Sequence, residues 1–157
     1  MTPPAVTIDF VPSSAPTAGS VTVRSVSGPV GDLHIIAIEA TDISNVFAAA
    51  FTLQVDPTVA LYRGFDSSMS FLSSDGATIQ AIVQETSSGV ITVGLTRVAS
   101  NGINITGTQE LLQLTFARAS SGGTGALGFA ANTLQDDQTP PQTIPGISWS
   151  GGNYVVN

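Results

Sequence analysis

No stretch of this chain carries the three-to-four apolar spacing of a convincing helix. Its apolar residues come in short β-branched runs, broken by Gly, Ser, Asn and Asp. Residues 47–55 show the pattern most plainly. Phe51, Leu53 and Val55 alternate with Ala50, Thr52 and Gln54, a period of two that gives a strand one core face and one smaller, wetter face. A helical spacing can be laid over residues 43–51, but the alanines there merge into the alternation. Asp56-Pro57 then stops the run.

Comparable runs occupy residues 21–26, 33–40, 60–65, 78–84, 90–98, 111–119, 126–130, 146–149 and 154–156. Turn-type clusters separate them: Gly28-Pro29-Val30-Gly31-Asp32, Asp75-Gly76, Ser87-Ser88-Gly89, Ser121-Gly122-Gly123-Thr124-Gly125 and Gly151-Gly152-Asn153. Residues 78–84 and 90–98 flank Ser87-Ser88-Gly89 as the arms of a hairpin. The pattern predicts an all-β chain of about nine short strands in two packed sheets, a sandwich or jelly roll. Residues 1–20, rich in Pro, Ser, Thr and Ala, read as a linker. Within them residues 6–11 alternate and offer an edge strand instead. Pro brackets that stretch closely, so linker is the preferred reading. The sandwich is expected over residues 21–157.

The 157 residues suffice for one ordinary domain. Only 10% are charged, with four Arg, no Lys and a net charge of −7. Phosphate binding needs clustered cations, so nucleic acid is excluded as a partner, and anionic membrane surfaces are disfavoured for the same reason. No apolar run approaches the ~20 residues of a membrane span. Absence of Cys removes disulfides, thiolate metal sites and Cys nucleophiles. Low charge with much Ser, Thr and Gly suggests a bacterial surface or secreted module. Met1-Thr2-Pro3-Pro4 does not resemble a signal peptide, so the expected context is a longer exported protein.

Catalysis has little to stand on. His34 is the one histidine and sits inside a strand pattern, and no Gly-x-Ser-x-Gly elbow exists, so the chain is read as non-catalytic. Zinc lacks ligands. Asp136 and Asp137, with Asn132 and Gln135 nearby, are the nearest calcium candidates, but they match no calcium-loop pattern and read as a solvated acidic loop. Trp149 is the one tryptophan, and Tyr62 and Tyr154 are too sparse for an aromatic strip. A core or sheet-edge role for Trp149 outranks a sugar-stacking platform, which weakens carbohydrate binding without removing it.

Several segments, taken in order, resemble the cohesin module, the receptor half of the cohesin–dockerin pair of bacterial cellulosomes. Val21-Thr22-Val23-Arg24-Ser25-Val26-Ser27-Gly28, followed by Gly31-Asp32, is similar to the cohesin opening. The stretch from Phe51 through Asp56-Pro57 to Leu61 resembles the third family strand. Gly89-Val90-Ile91-Thr92-Val93 resembles the sixth. Ile105-Thr106-Gly107 through Leu112, Leu114 and Phe116 resembles a turn and core strand, and Gly128-Phe129-Ala130-Ala131-Asn132-Thr133-Leu134 the eighth strand. Gly146 to Val156 is similar to the closing strand. The resemblance spans about residues 20 to 157 and implies a nine-stranded jelly-roll sandwich without catalysis.

It also implies a function: holding a dockerin, a small calcium-loaded helical module on a partner protein. No cofactor is then expected on this chain, because the calcium belongs to the partner. Polysaccharide would be met only through the parent protein. In the family the dockerin docks on a flat sheet face that includes strands three, five, six and eight. Carried over, that face gives Ala48, Ala50, Thr52 and Gln54 on the third run, Gly94, Thr96 and Arg97 on the sixth, and Leu134 on the eighth. The better-known cellulosomal pattern has Asn and Asp where Ala48 and Ala50 stand, and an acid where Arg97 stands. This face is expected to be smaller and more apolar, with one positive charge. Two readings follow: a changed choice of dockerin, since an unpaired donor on a partner costs about 1–3 kcal/mol, or a structural spacer or self-assembling module.

Overall fold

The computed structural model describes residues 8–26, 33–119 and 123–156. Within them eleven strands form two sheets, where the sequence pattern predicts about nine. The strands are β1 (Ile8–Pro12), β2 (Ser20–Ser25), β3 (Leu33–Val46), β4 (Ala48–Val55), β5 (Ala60–Asp66), β6 (Thr78–Ser87), β7 (Val90–Val98), β8 (Ile103–Arg118), β9 (Gly123–Gln135), β10 (Ser148–Trp149) and β11 (Gly152–Val156). A single 3-10 turn, Phe71–Ser73, stands between β5 and β6. One sheet has the order β1-β11-β9-β4-β7-β6, the other β10-β2-β3-β8-β5. Every pairing is antiparallel except β10 with β2. The fold is a jelly-roll β-sandwich.

The alternation seen in the sequence becomes the core. Phe51 and Leu53 of β4, Ile91, Val93 and Leu95 of β7, Ile36 and Ile38 of β3, and Leu112, Leu114 and Phe116 of β8 are all buried between the sheets. Tyr154 of β11 sits among Phe10, Phe116 and His34, with ring centroids 5.3 to 5.8 Å apart. Trp149 packs against Phe51 and Phe129 at 5.7 and 5.2 Å. It is half-buried against the core, as the core or sheet-edge reading expects, and does not present an open aromatic platform.

Strands run further than their apolar runs. β3 continues past residue 40 to Val46 through register shifts beside Asp42 and Asn45, whose φ values of 46° and 58° mark irregular backbone that Asp and Asn tolerate. β8 begins at Ile103, so Gly107 lies within the strand and not in a turn before it. β9 begins at Gly123, so Gly123-Thr124-Gly125 is strand where a loop was expected. The cluster at residues 28–32, Ser121 and Gly122 lie outside the described residues, as does the start of the N-terminal segment.

The linker reading fails at Ile8–Pro12. These residues form an edge strand antiparallel to β11, with Ile8 and Phe10 buried and Asp9 exposed. Two buried apolar side chains on one face outweigh the flanking prolines, and Pro12 stands at the strand's end, where a missing N–H does least harm. The glycine pair at the start of β11 answers a close approach. A Cβ on Gly151 would run into the Leu127 carbonyl, and one on Gly152 into the Val11 carbonyl and the Phe10 ring.

Candidate functional site: the outer face of β6, β7, β4 and β9

Four neighbouring strands of the six-stranded sheet, β6, β7, β4 and β9, share one outward side. The register sets its rows. Gln80, Thr96, Ala48 and Gln135 stand abreast across β6, β7, β4 and β9. The next row is Ile82, Gly94, Ala50 and Thr133, and the third is Gln84, Thr92, Thr52 and Ala130. Gln54 follows, beside Val90 and Gly128. None of these side chains is charged. Ile82 is 69% exposed, and a Cβ on Gly94 would meet nothing within 4 Å, so the middle row is an open apolar strip. A shallow hollow of about 280 Å3 lies over Ala48, Ala50, Gly94 and Thr96, walled by Gln80, Ile82 and Pro141.

Of the residues assigned from the sequence, Ala50, Thr52, Gln54, Gly94 and Thr96 face outward together. Ala48 shares their side of the sheet but is buried at the hollow's base. Two assignments are corrected. Arg97 is only 3% exposed and points to the other side of β7, with Val93 and Leu95. Leu134 is 1% exposed and pairs with buried Ala49, so it belongs to the core. Side chains of successive strand residues point to opposite faces. Thr96 and Arg97 therefore cannot both face out. Sequence reasoning missed the β6 row of Gln80, Ile82 and Gln84, although the alternation of Gln80 and Gln84 with Ile79, Ala81 and Val83 carried the signal.

Arg97 builds the floor beneath the face instead. Its Nη1 and Nη2 donate to Asp75 Oδ1 and Oδ2 at 3.1 and 2.7 Å, a forked pair, and its Nε donates to the Asn101 carbonyl at 2.6 Å. Nη1 also donates to the Leu72 carbonyl. Asp75 further accepts from the Ala77 N–H at 3.1 Å. The Arg97 hydrogen bonds, with this amide, hold the Asp75 carboxyl down to about 2. One buried guanidinium thus ties the 3-10 turn and the entry to β6 onto β7.

The acidic loop after β9 is likewise structural. Asp137 accepts from Asn45 Nδ2 and from the Gly102 N–H, both at 2.8 Å, and these bonds lower its pKa. Asp136 Oδ1 accepts from the amides of Gln138 and Gln142 at 3.1 and 2.9 Å. The two carboxylates clasp the loop that carries Pro141 to the rim of the hollow. Among the described residues no group of three or more His, Asp or Glu side chains converges on one point. His34 is fully buried, its Nε2 2.8 Å from Ser25 Oγ. Burial lowers its pKa, and Asp9 at 3.8 Å opposes this only in part, so the imidazole is neutral near pH 7.

The sandwich has relatives. The family model for the cohesin domain matches residues 19–145. The chain belongs to the cohesin family. Its fold is shared with the sixth cohesin of scaffoldin B from Acetivibrio cellulolyticus, solved in complex with a mutant Cel5 dockerin. The TM-score is 0.64 at 19% identity, covering 87% of this chain and 97% of that one. CaCohA2 from Clostridium acetobutylicum gives 0.64 at 18% identity over 85% and 87% of the two chains. A non-cellulosomal cohesin from the archaeon Archaeoglobus fulgidus gives 0.57 at 15% identity over 93% and 88%. No curated protein matches the chain. Where the resemblance implies Asn and Asp, this chain has Ala48 and Ala50. The face lacks the expected positive charge, because Arg97 is turned inward.

Proposed function

We propose that this cohesin domain is a non-catalytic receptor for a dockerin module on a partner protein, held on the outer face of β6, β7, β4 and β9. The observation that carries the reading is the face itself. It is an uncharged surface of Gln, Thr, Ala and Gly rows with Ile82 standing out, on a chain of a family whose scaffoldin B relative was solved with a dockerin. Without carboxylate acceptors on Ala48 and Ala50, the face selects a partner whose contacting surface is apolar or carries neutral hydrogen-bonding groups. A partner lysine or arginine placed there would lose its hydration without gaining a counter-charge. The calcium resides in the dockerin, and the pair works outside the cell or at its surface.

The test is capture of calcium-loaded dockerins on immobilised cohesin, with and without a chelator. Capture that chelation abolishes is expected, and it should change little between low and high salt, since neutral contacts are not screened. Failure to capture any dockerin from a panel covering the types bound by the family would overturn the reading.

A further inference from the structure

Each sheet of the sandwich ends in two edge strands, and an unpaired edge invites another strand. Three of the four edges carry protection. β1 has five residues and ends in Pro12. β10 has only two residues. β5 is broken by a register shift between Tyr62 and Gly64 and bears Arg63 and Asp66. β6 differs. From Thr78 to Gln84 it reads Thr-Ile-Gln-Ala-Ile-Val-Gln, with no charge, no Pro and no Gly. Its register with β7 is unbroken from Thr78 to Glu85. Among the described residues no strand pairs its other edge.

The direction of its free backbone groups follows from β7. The Arg97 amide donates to the Phe47 carbonyl and the Gly89 carbonyl accepts from the Val55 amide, so the odd-numbered residues of β7 bond to β4. Gly94 and Thr96 then face β6 and take up the backbone groups of their partners Ile82 and Gln80. The unpaired N–H and C=O groups along the open edge belong to Ile79, Ala81 and Val83.

We propose that β6 pairs antiparallel with β6 of a second copy of this chain, about a two-fold axis through Ile82. This register is self-complementary. Ala81 of each copy meets Val83 of the other and exchanges both backbone hydrogen bonds. Gln80 stands opposite Gln84, amide to amide, and Ile82 covers Ile82, removing the strand's exposed large apolar side chain from water. Glu85 falls opposite Ile79, so no carboxylate faces another across the seam. An isologous contact of this kind closes on itself and stops at two copies. It leaves Ala50, Thr52 and Thr92 open and sets the two outer faces side by side, with Ile82 and the β6 glutamines shared between the seam and the margin of each face. The net charge of −7 on each copy opposes the approach, so pairing strengthens as salt screens it.

Sedimentation equilibrium from micromolar to millimolar protein, at low and high sodium chloride, tests this. The expected result is a shift from 16.0 kDa toward twice that mass, more complete at high salt. Ala81→Pro is the informative variant, because the Ala81 N–H faces the open edge and its loss leaves the β7 ladder whole. It should stay at the monomer mass with its urea midpoint unchanged. Ile82→Lys, which sets two ammonium groups against each other on the axis, should also remain monomeric and decides the matter if the proline variant does not fold. Wild-type protein that stays monomeric throughout, or dimers that persist in the folded variants, would overturn the proposal.

Discussion

Arg97 is the residue whose surroundings say most about how this chain is built. A guanidinium that is 3% exposed cannot be left without partners, and it has four acceptor contacts on Asp75, Leu72 and Asn101. Arg97→Met removes the ties between β7, the 3-10 turn and the start of β6, and strands the buried Leu72 carbonyl. It should cost about 3 kcal/mol in urea denaturation; a loss under about 1 kcal/mol would mean the clamp is dispensable. Asp75 titrates at about 2 in the folded state, below its ordinary 3.8. Its contribution is present above pH 3.8 and fades as pH falls toward 2, so Asp75→Asn should flatten the acid limb of the stability profile. His34 acts higher on the pH scale. Its folded pKa lies below 6.5, so the unfolded chain takes up the proton first. Stability should be level above about pH 7 and decline as pH drops below about 6.5, a decline that His34→Gln should abolish. A wild-type profile flat down to about pH 5 would contradict a buried neutral imidazole.

At the scale of elements, strands were legible wherever one face is apolar and the other small or polar. β4 could be read residue by residue from Phe51, Leu53 and Val55, and Ala50, Thr52 and Gln54 then fell on the outer side without further information. Arg97 follows the same alternation, which sets it with Val93 and Leu95, so the family position carried over to it does not hold here. Leu134 was misplaced because β9 is irregular opposite Ala50 and Thr52, where Ala131 has a φ of 50°, and counting across such a bulge flips the parity. β1 was hidden by Pro12, since five residues beside a proline look like linker until their buried partners on β11 are known. The late glycines were visible as a pair, but their reason lies in distant backbone. Gly151→Ala should lower the thermal midpoint sharply, because its Cβ would overlap the rigid Leu127 carbonyl and not a movable side-chain tip. An unchanged midpoint would mean that β9 and β11 can separate without loss.

For the whole molecule, the scarcity of charge decides what the proposed docking face can hold. Eleven acids and four arginines are distributed so that the face of β6, β7, β4 and β9 receives none in its central rows. Asp136, Asp137 and Asp75 are engaged in loop and strand contacts instead. Under the proposed reading, recognition rests on shape and on apolar contact at Ile82, Ala50 and Gly94, with hydrogen bonds from Gln80, Thr92 and Thr96. That Ala50, Thr52 and Gln54 share one outward side could be read from the alternation in β4. That the central rows are neutral follows from the same alternation in β7, which turns Arg97 inward beside Val93 and Leu95. The most direct measurement is calorimetric titration of a calcium-loaded dockerin into wild-type cohesin and into Ala50→Glu, whose new carboxylate stands in the middle of the apolar strip. The account predicts saturable one-to-one binding by the wild type and at least a tenfold loss, about 1.4 kcal/mol, in the variant, with the same unfolding midpoint for both. Equal affinity of the two proteins would place the partner elsewhere on the sandwich and contradict it.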